Sequence, residues 1–140
     1  MSTLPELTAD GYDFAHMGKS YHVDCIDNNM MAEFEKRLFA KAKERLLAVK
    51  DVLSSQAYEL RSTALADRYM AGEFSMMQQG ESNPLKDASN TVTLFSLMLD
   101  VDEKEVLALL SDKAVRAELT GLFRCAMRDS FPGLSFPNDQ

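Results

Sequence analysis

The chain is short of the residues that most chemistry needs. Its 140 residues include no tryptophan, two histidines and two cysteines. Cys25 and Cys125 stand a hundred residues apart, which excludes the clustered cysteines of a disulfide scaffold or a Cys-x2-Cys zinc module. Free thiols in a reducing compartment are the expectation. No apolar run approaches the ~18 residues of a membrane span. The opening MSTLPELTADG lacks the basic region and apolar core of a secretory signal. These features predict a cytoplasmic protein with no membrane partner.

Positive charge is also scarce. Twenty-two acidic residues face 15 basic ones, for a net charge of -7, which argues against nucleic acid as a direct partner. The imbalance is local. Residues 1–29 hold five carboxylates against Lys19 alone, whereas residues 30–53 hold six bases against four acids. No Gly-x-Gly-x-x-Gly or Walker loop is present. GKS at 18–20 ends like a Walker motif, but Asp13 stands where that motif needs its first glycine.

What the chain does have is apolar content, 46%, enough for a core. Nine methionines supply pliable packing for cores or interfaces. The segment YDFAHMGKSYHVDC, residues 12–25, alternates on both sides of a glycine and predicts a β-hairpin turning at Gly18–Lys19. Tyr12, Phe14, Tyr21 and Val23 fall on one face; Asp13, His22 and Asp24 fall on the other. A lone hairpin is marginal in water, so something must cover the aromatic face.

The period then changes. Met30 or Met31, Phe34, Leu38, Ala42, Leu46, Val49 and Leu53 step by three and four, predicting a six-turn amphipathic helix capped by Asp27 or Asn28. A second helix is expected from a cap at Ser54 or Ser55 to a terminal Gly72, antiparallel to the first. GEFSMMQQGES, residues 72–82, reads as loop. Asn83–Pro84 predicts the start of a third helix reaching Asp100, central because VTLFSLML is apolar nearly all round. Asp102 with Glu105 predicts a capped fourth helix. Ser111–Asp112 interrupts and recaps into a fifth, running to about Asp129. Gly121 within it implies close packing on a neighbour.

No catalytic or metal site emerges. His16, His22 and Cys25 lie close in sequence, but His22 and Cys25 have opposite strand parity, and zinc wants four ligands. Cys25 as a nucleophile would need a base on its own face. DVDEKE, residues 100–105, starts like a calcium loop but has Glu105 and Ser111 where glycine and glutamate belong. Glu33 with Glu35, and Glu103 with Glu105, are two residues apart and do not share a helix face. No cofactor is expected, and the protein is expected not to be an enzyme.

Apolar groups in non-helical segments are left as candidate partner-binding residues. They are Phe74, Met76 and Met77 in the loop and Phe131, Leu134 and Phe136 in the tail, with Tyr12, Phe14 and Tyr21 of the hairpin. The hairpin's open edge is another candidate.

The succession YHVDCIDNNMMAEFEKRLFAKAKE, then YMAGEFSM, then a leucine-rich helix pair resembles small proteins of phage virion gene clusters, of the tail assembly or tail assembly chaperone type. The resemblance covers roughly residues 11–128 in layout and carries no functional residue across. It implies an assembly role through contacts with phage tail proteins or with further copies of the chain, in the host cytoplasm or the virion. The expected fold is α+β, mainly α: a flexible arm over 1–10, one domain over 11–129 with the hairpin at 11–26 packed on four or five helices, and an irregular tail over 130–140. The alternative function is a small acidic inhibitor or adaptor that occludes a basic, nucleic-acid-binding host protein.

Overall fold

The structure is a computed structural model that describes residues 7–8 and 11–130. It is α+β and mainly α, with an N-terminal antiparallel hairpin and five helices. The described chain groups into two compact units. One, the sheet unit, combines Met1–Asp27 with Phe95–Gln140; the other, the helical unit, is Asn28–Leu94. The sequence pattern had placed residues 11–129 in one domain.

In the sheet unit, β2 (Gly11–His16) pairs antiparallel with β3 (Lys19–Asp24). Tyr12 pairs with Val23 and Phe14 with Tyr21, while Asp13 pairs with His22. The expected division of faces therefore holds. The turn itself is Met17–Gly18, one residue earlier than expected, since His16 pairs with Lys19. Both turn residues have positive φ, 50° and 80°, the twist that a two-residue hairpin loop demands. β1 (Leu7–Thr8) adds a short third strand on β2, so the flexible arm expected over 1–10 is held at those two residues.

The aromatic face is covered. Tyr12, Phe14, Tyr21 and Val23 are buried, and α5 (Lys113–Ser130) lies against β2 and β3. Phe14 stacks on Tyr21 at 5.0 Å between ring centroids. From the helices come Val115, Leu119, Leu122, Ala126 and Met127 of α5 and Val106 and Leu109 of α4 (Glu103–Leu110), all buried. Asp102 caps α4 by accepting from the Glu105 N–H at 2.8 Å. Asp112 recaps α5 by accepting from the Ala114 N–H at 2.9 Å. A Cβ at Gly121 would meet nothing within 4 Å. Close packing is not the reason for that glycine.

In the helical unit, α1 (Asn28–Ala48) ends five residues short of Leu53. A 3-10 turn at Lys50–Val52 follows, and Leu53 is extended. That extension sets up Ser54, whose hydroxyl accepts from the Ala57 N–H at 3.0 Å and starts α2 (Ser55–Met70). Gly72 at φ 76° ends it in the left-handed conformation expected of a C′ glycine.

α3 (Ala88–Leu99) starts later than expected. Asn83 caps only a 3-10 turn, Pro84–Lys86. Asp87 then provides the true cap, its Oδ1 accepting from both the N–H and the hydroxyl of Ser89. Those two hydrogen bonds hold its carboxyl below the usual range, the hydroxyl contributing most. Residues 92–96 are buried without interruption, as the all-round apolar run predicted. The two polar side chains among them are satisfied: Thr93 receives a bond from the Lys41 ammonium, and Ser96 donates to the Val101 carbonyl.

Candidate protein-contact surface

Whether α1 and α2 bury what they carry decides where a surface is left open. Along α1, Phe34 and Leu38 are buried as the period predicts. From residue 39 to residue 64 no residue is buried, and the run resumes only at Leu65. Apolar positions of both helices and of the turn between them therefore meet water. Leu47 is 58% exposed, Val52 81% and Leu60 65%, with Val49 and Met70 also exposed. A helix pair of this length normally hides an apolar stripe against further structure.

Residues of α1 and α2 line an open cleft of about 530 Å³, several of them exposed at its rim. From α1 come Phe39, Ala40, Lys43, Glu44, Leu46 and Leu47; from α2 come Tyr58, Ser62, Leu65 and Ala66. Phe39 of the lining also belongs to a ring cluster. Phe39 stacks on Tyr69 at 4.4 Å, and Phe74 leans on both at 6.4 and 6.5 Å. Cations sit over the rings: Lys43 at 5.1 Å from the Phe39 centroid and Arg68 at 5.0 Å from that of Phe74. Nearby on α1, partial burial pushes the Glu35 carboxyl up.

The loop residues proposed for docking divide. The Asn83 amide donates to the carbonyls of Met76 and Gln78 at 3.0 and 2.9 Å, and the Gln78 amide donates to Gly72. Pinned in this way, the loop turns Phe74 and Met76 inward to 8% and 2% exposure. Met77, at 36%, stays on the surface. Tyr12, Phe14 and Tyr21 are buried as well. These five buried side chains pack inside the chain and are not offered to a partner in the folded state. Phe131, Leu134 and Phe136 lie outside the described residues. The larger exposed surface is on α1 and α2, where the sequence pattern read core. For Leu47 the signal was present in the spacing, since it lies off the period that includes Phe34, Leu38 and Leu46; Leu60 shares the period of Ala57 and Ala64 and gave no such signal.

The hairpin carries two further groupings, one on each face. His22 stands between two carboxylates, with Asp13 Oδ1 2.5 Å from Nδ1 and Asp24 Oδ1 3.2 Å from Nε2. At the turn end, the Glu105 carboxylate accepts from the Lys19 ammonium at 2.5 Å and from the Tyr21 hydroxyl at 2.7 Å. Those bonds, Lys19 first, hold Glu105 below the usual carboxylate range; the same carboxylate raises Lys19 and Tyr21. Glu105 thus ties β3 to α4, rather than closing a reciprocal box on Asp102. Neither cysteine is in a disulfide, and each is half-buried. Among the described residues no three His, Cys, Asp or Glu side chains are placed to hold a metal ion, and none of the helices is long and apolar enough to cross a membrane.

Charge separates the same two regions. The helical unit has acids and bases in equal number, nine of each, so the whole net charge of -7 belongs to the sheet unit. Compared with known proteins, the chain matches no family model, no curated protein and no solved structure.

Proposed function

We propose that the protein is a non-enzymatic assembly factor that works through protein contacts, with the α1–α2 pair as its contact element. The observation that carries this reading is the stretch from 39 to 64, the second half of α1, the joint and the first ten residues of α2, which holds no buried residue. Exposed apolar surface of that extent is unfavourable in an isolated chain and is the usual mark of a partner site. The layout resemblance to phage tail assembly proteins supports placing the role in virion assembly, with tail proteins or further copies of the chain as partners.

Native complexes isolated from the cells that make the protein test this. The wild-type chain should travel in a complex of defined stoichiometry. A folded variant carrying Leu47→Glu should leave it. A wild-type chain that stays monomeric and uncomplexed in its own cells would end the proposal.

One observation favours a second reading. The concentration of net negative charge in the sheet unit would suit an acidic inhibitor of a basic protein. Such a complex would weaken steeply between low and high salt; affinity unchanged by salt would remove it.

A further inference from the structure

The exposed side of α1 is complementary to itself. Lys36, Ala40, Lys43, Glu44 and Leu47 are all exposed and, at steps of three, four, seven and eight, form one stripe along the helix. Asp51 stands just past its end, in the 3-10 turn. The stripe therefore has a base at one end, an acid at the other and an adjacent base–acid pair at its middle. Its one bulky apolar group, Leu47, lies about one turn from the middle on one side. Its smallest, Ala40, lies about one turn away on the other.

We propose that two copies of the chain associate through this stripe as a two-fold dimer, the α1 helices crossing antiparallel about an axis at Lys43–Glu44. In a two-fold contact each residue meets the counterpart of its own partner. About that axis Lys43 of one copy faces Glu44 of the other, Leu47 covers Ala40, and Lys36 reaches Asp51, each pair occurring twice. The small Ala40 lets the helices approach closely, and Leu47 fills the space above it at the mouth of the α1–α2 cleft. Long-range charge favours the same choice. Two chains at -7 repel, and the helical unit, with nine acids and nine bases, is where that repulsion is least. A second copy is thus the occupant whose chemistry the surface already specifies. The inference rests on the α1–α2 pair being a contact element.

Molecular mass in solution, measured by light scattering and sedimentation across a range of concentrations, reads this directly. Wild type should show twice the chain mass, dissociating on dilution. Leu47 is mostly exposed, so Leu47→Glu should leave the helical circular dichroism signal unchanged and weaken the dimer by about tenfold or more. Lys43→Glu alone, or Glu44→Lys alone, sets like charges opposite each other twice and should weaken it by about fivefold. Mixing those two single variants restores both pairs, and the mixed dimer should return to the wild-type affinity.

A wild-type chain that remains monomeric at every concentration overturns the dimer. A dimer indifferent to Leu47→Glu, or charge variants that mixing does not rescue, overturns this face and this axis. If the chain is monomeric yet Leu47→Glu still abolishes a native complex with a different protein, self-association falls and the contact role stands. If neither complex exists, both fall.

Discussion

The two units of this protein solve the burial of apolar surface to different degrees. In the sheet unit, a hairpin too small to be stable by itself is covered on its aromatic face by α5, and residues from α3, α4 and α5 fill the rest. Among its described large apolar side chains only Met17 and Leu107 stay exposed. The helical unit has longer helices and hides less. Its buried apolar side chains are Phe34, Leu38, Leu65, Phe74, Met76, Val92 and Leu94, while six others, Leu47 and Leu60 among them, face solvent. Helix length is a poor guide to how much core a segment makes. What decides is whether something lies against the apolar stripe, because a helix in water draws most of its stability from that contact.

The sharpest way to break this comparison is to truncate a leucine in each region. Leu119 of α5 is 1% exposed and Leu60 of α2 is 65% exposed. Leu119→Ala should cost about 2–5 kcal/mol, the lost transfer energy plus the cavity left behind. Leu60→Ala should change stability by no more than about 0.5 kcal/mol. Urea midpoints of the two variants give the answer. Similar losses would mean that Leu60 is covered in solution and that the contrast between the units is false.

That contrast also marks what was legible in the residues alone. Where the period was two, the reading was sound: the partition of Tyr12, Phe14, Tyr21 and Val23 from Asp13 and His22 follows from strand geometry, and a shift of the turn by one residue left the faces intact. Capping was legible too, at Ser54, Asp102 and Asp112, because a side-chain oxygen next to an unsatisfied helix N–H acts locally. Competing local choices were not. Asn83 does cap, but only a 3-10 turn, while its amide NH2 holds the 72–82 loop, and the helix starts after Asp87. Least legible was the fate of apolar residues. The spacing of Leu46, Val49 and Leu53 suggests one helix stripe, yet α1 ends at Ala48, and spacing alone does not tell whether anything lies against such residues. Phe74 and Met76 had no period, so their burial by a loop pinned at Asn83 left no trace in the pattern.

The caps offer a test in which the two units should behave alike. Ser54 starts α2 in the helical unit and Asp102 starts α4 in the sheet unit. Ser54→Ala and Asp102→Ala should each cost about 1 kcal/mol, since each leaves a helix N–H without its partner. Equal losses would place the difference between the units in side-chain packing; a much larger loss in one would place it in the helix ends. Gly121 extends the test in the opposite direction. With open space around its Cβ position and a helical backbone, Gly121→Ala should stabilise the protein by about 0.5–1 kcal/mol, read as a raised melting temperature.

The smallest effect belongs to the tie between hairpin and α4, and its sign depends on pH. Glu105 is held ionised by Lys19 first and Tyr21 second. A carboxyl lowered in the folded state contributes stability above its unfolded range, and that contribution disappears as pH falls through the lower folded value. Lys19 is raised by its bond to Glu105, so its share persists at neutral pH and is lost as the solution becomes more basic than the ordinary lysine range. Both partners remain partly exposed to solvent, which screens the pair and keeps the effect small. Glu105→Gln removes the charge and retains an acceptor for Tyr21. The stability difference between wild type and Glu105→Gln should therefore favour wild type near neutrality, shrink below about pH 4 and shrink again above about pH 10. Denaturation midpoints measured at intervals across that range would reveal the plateau. A difference that stays level from acid to base would mean that the carboxylate does not hold the turn of the hairpin to α4, and that α5 alone keeps the sheet in place.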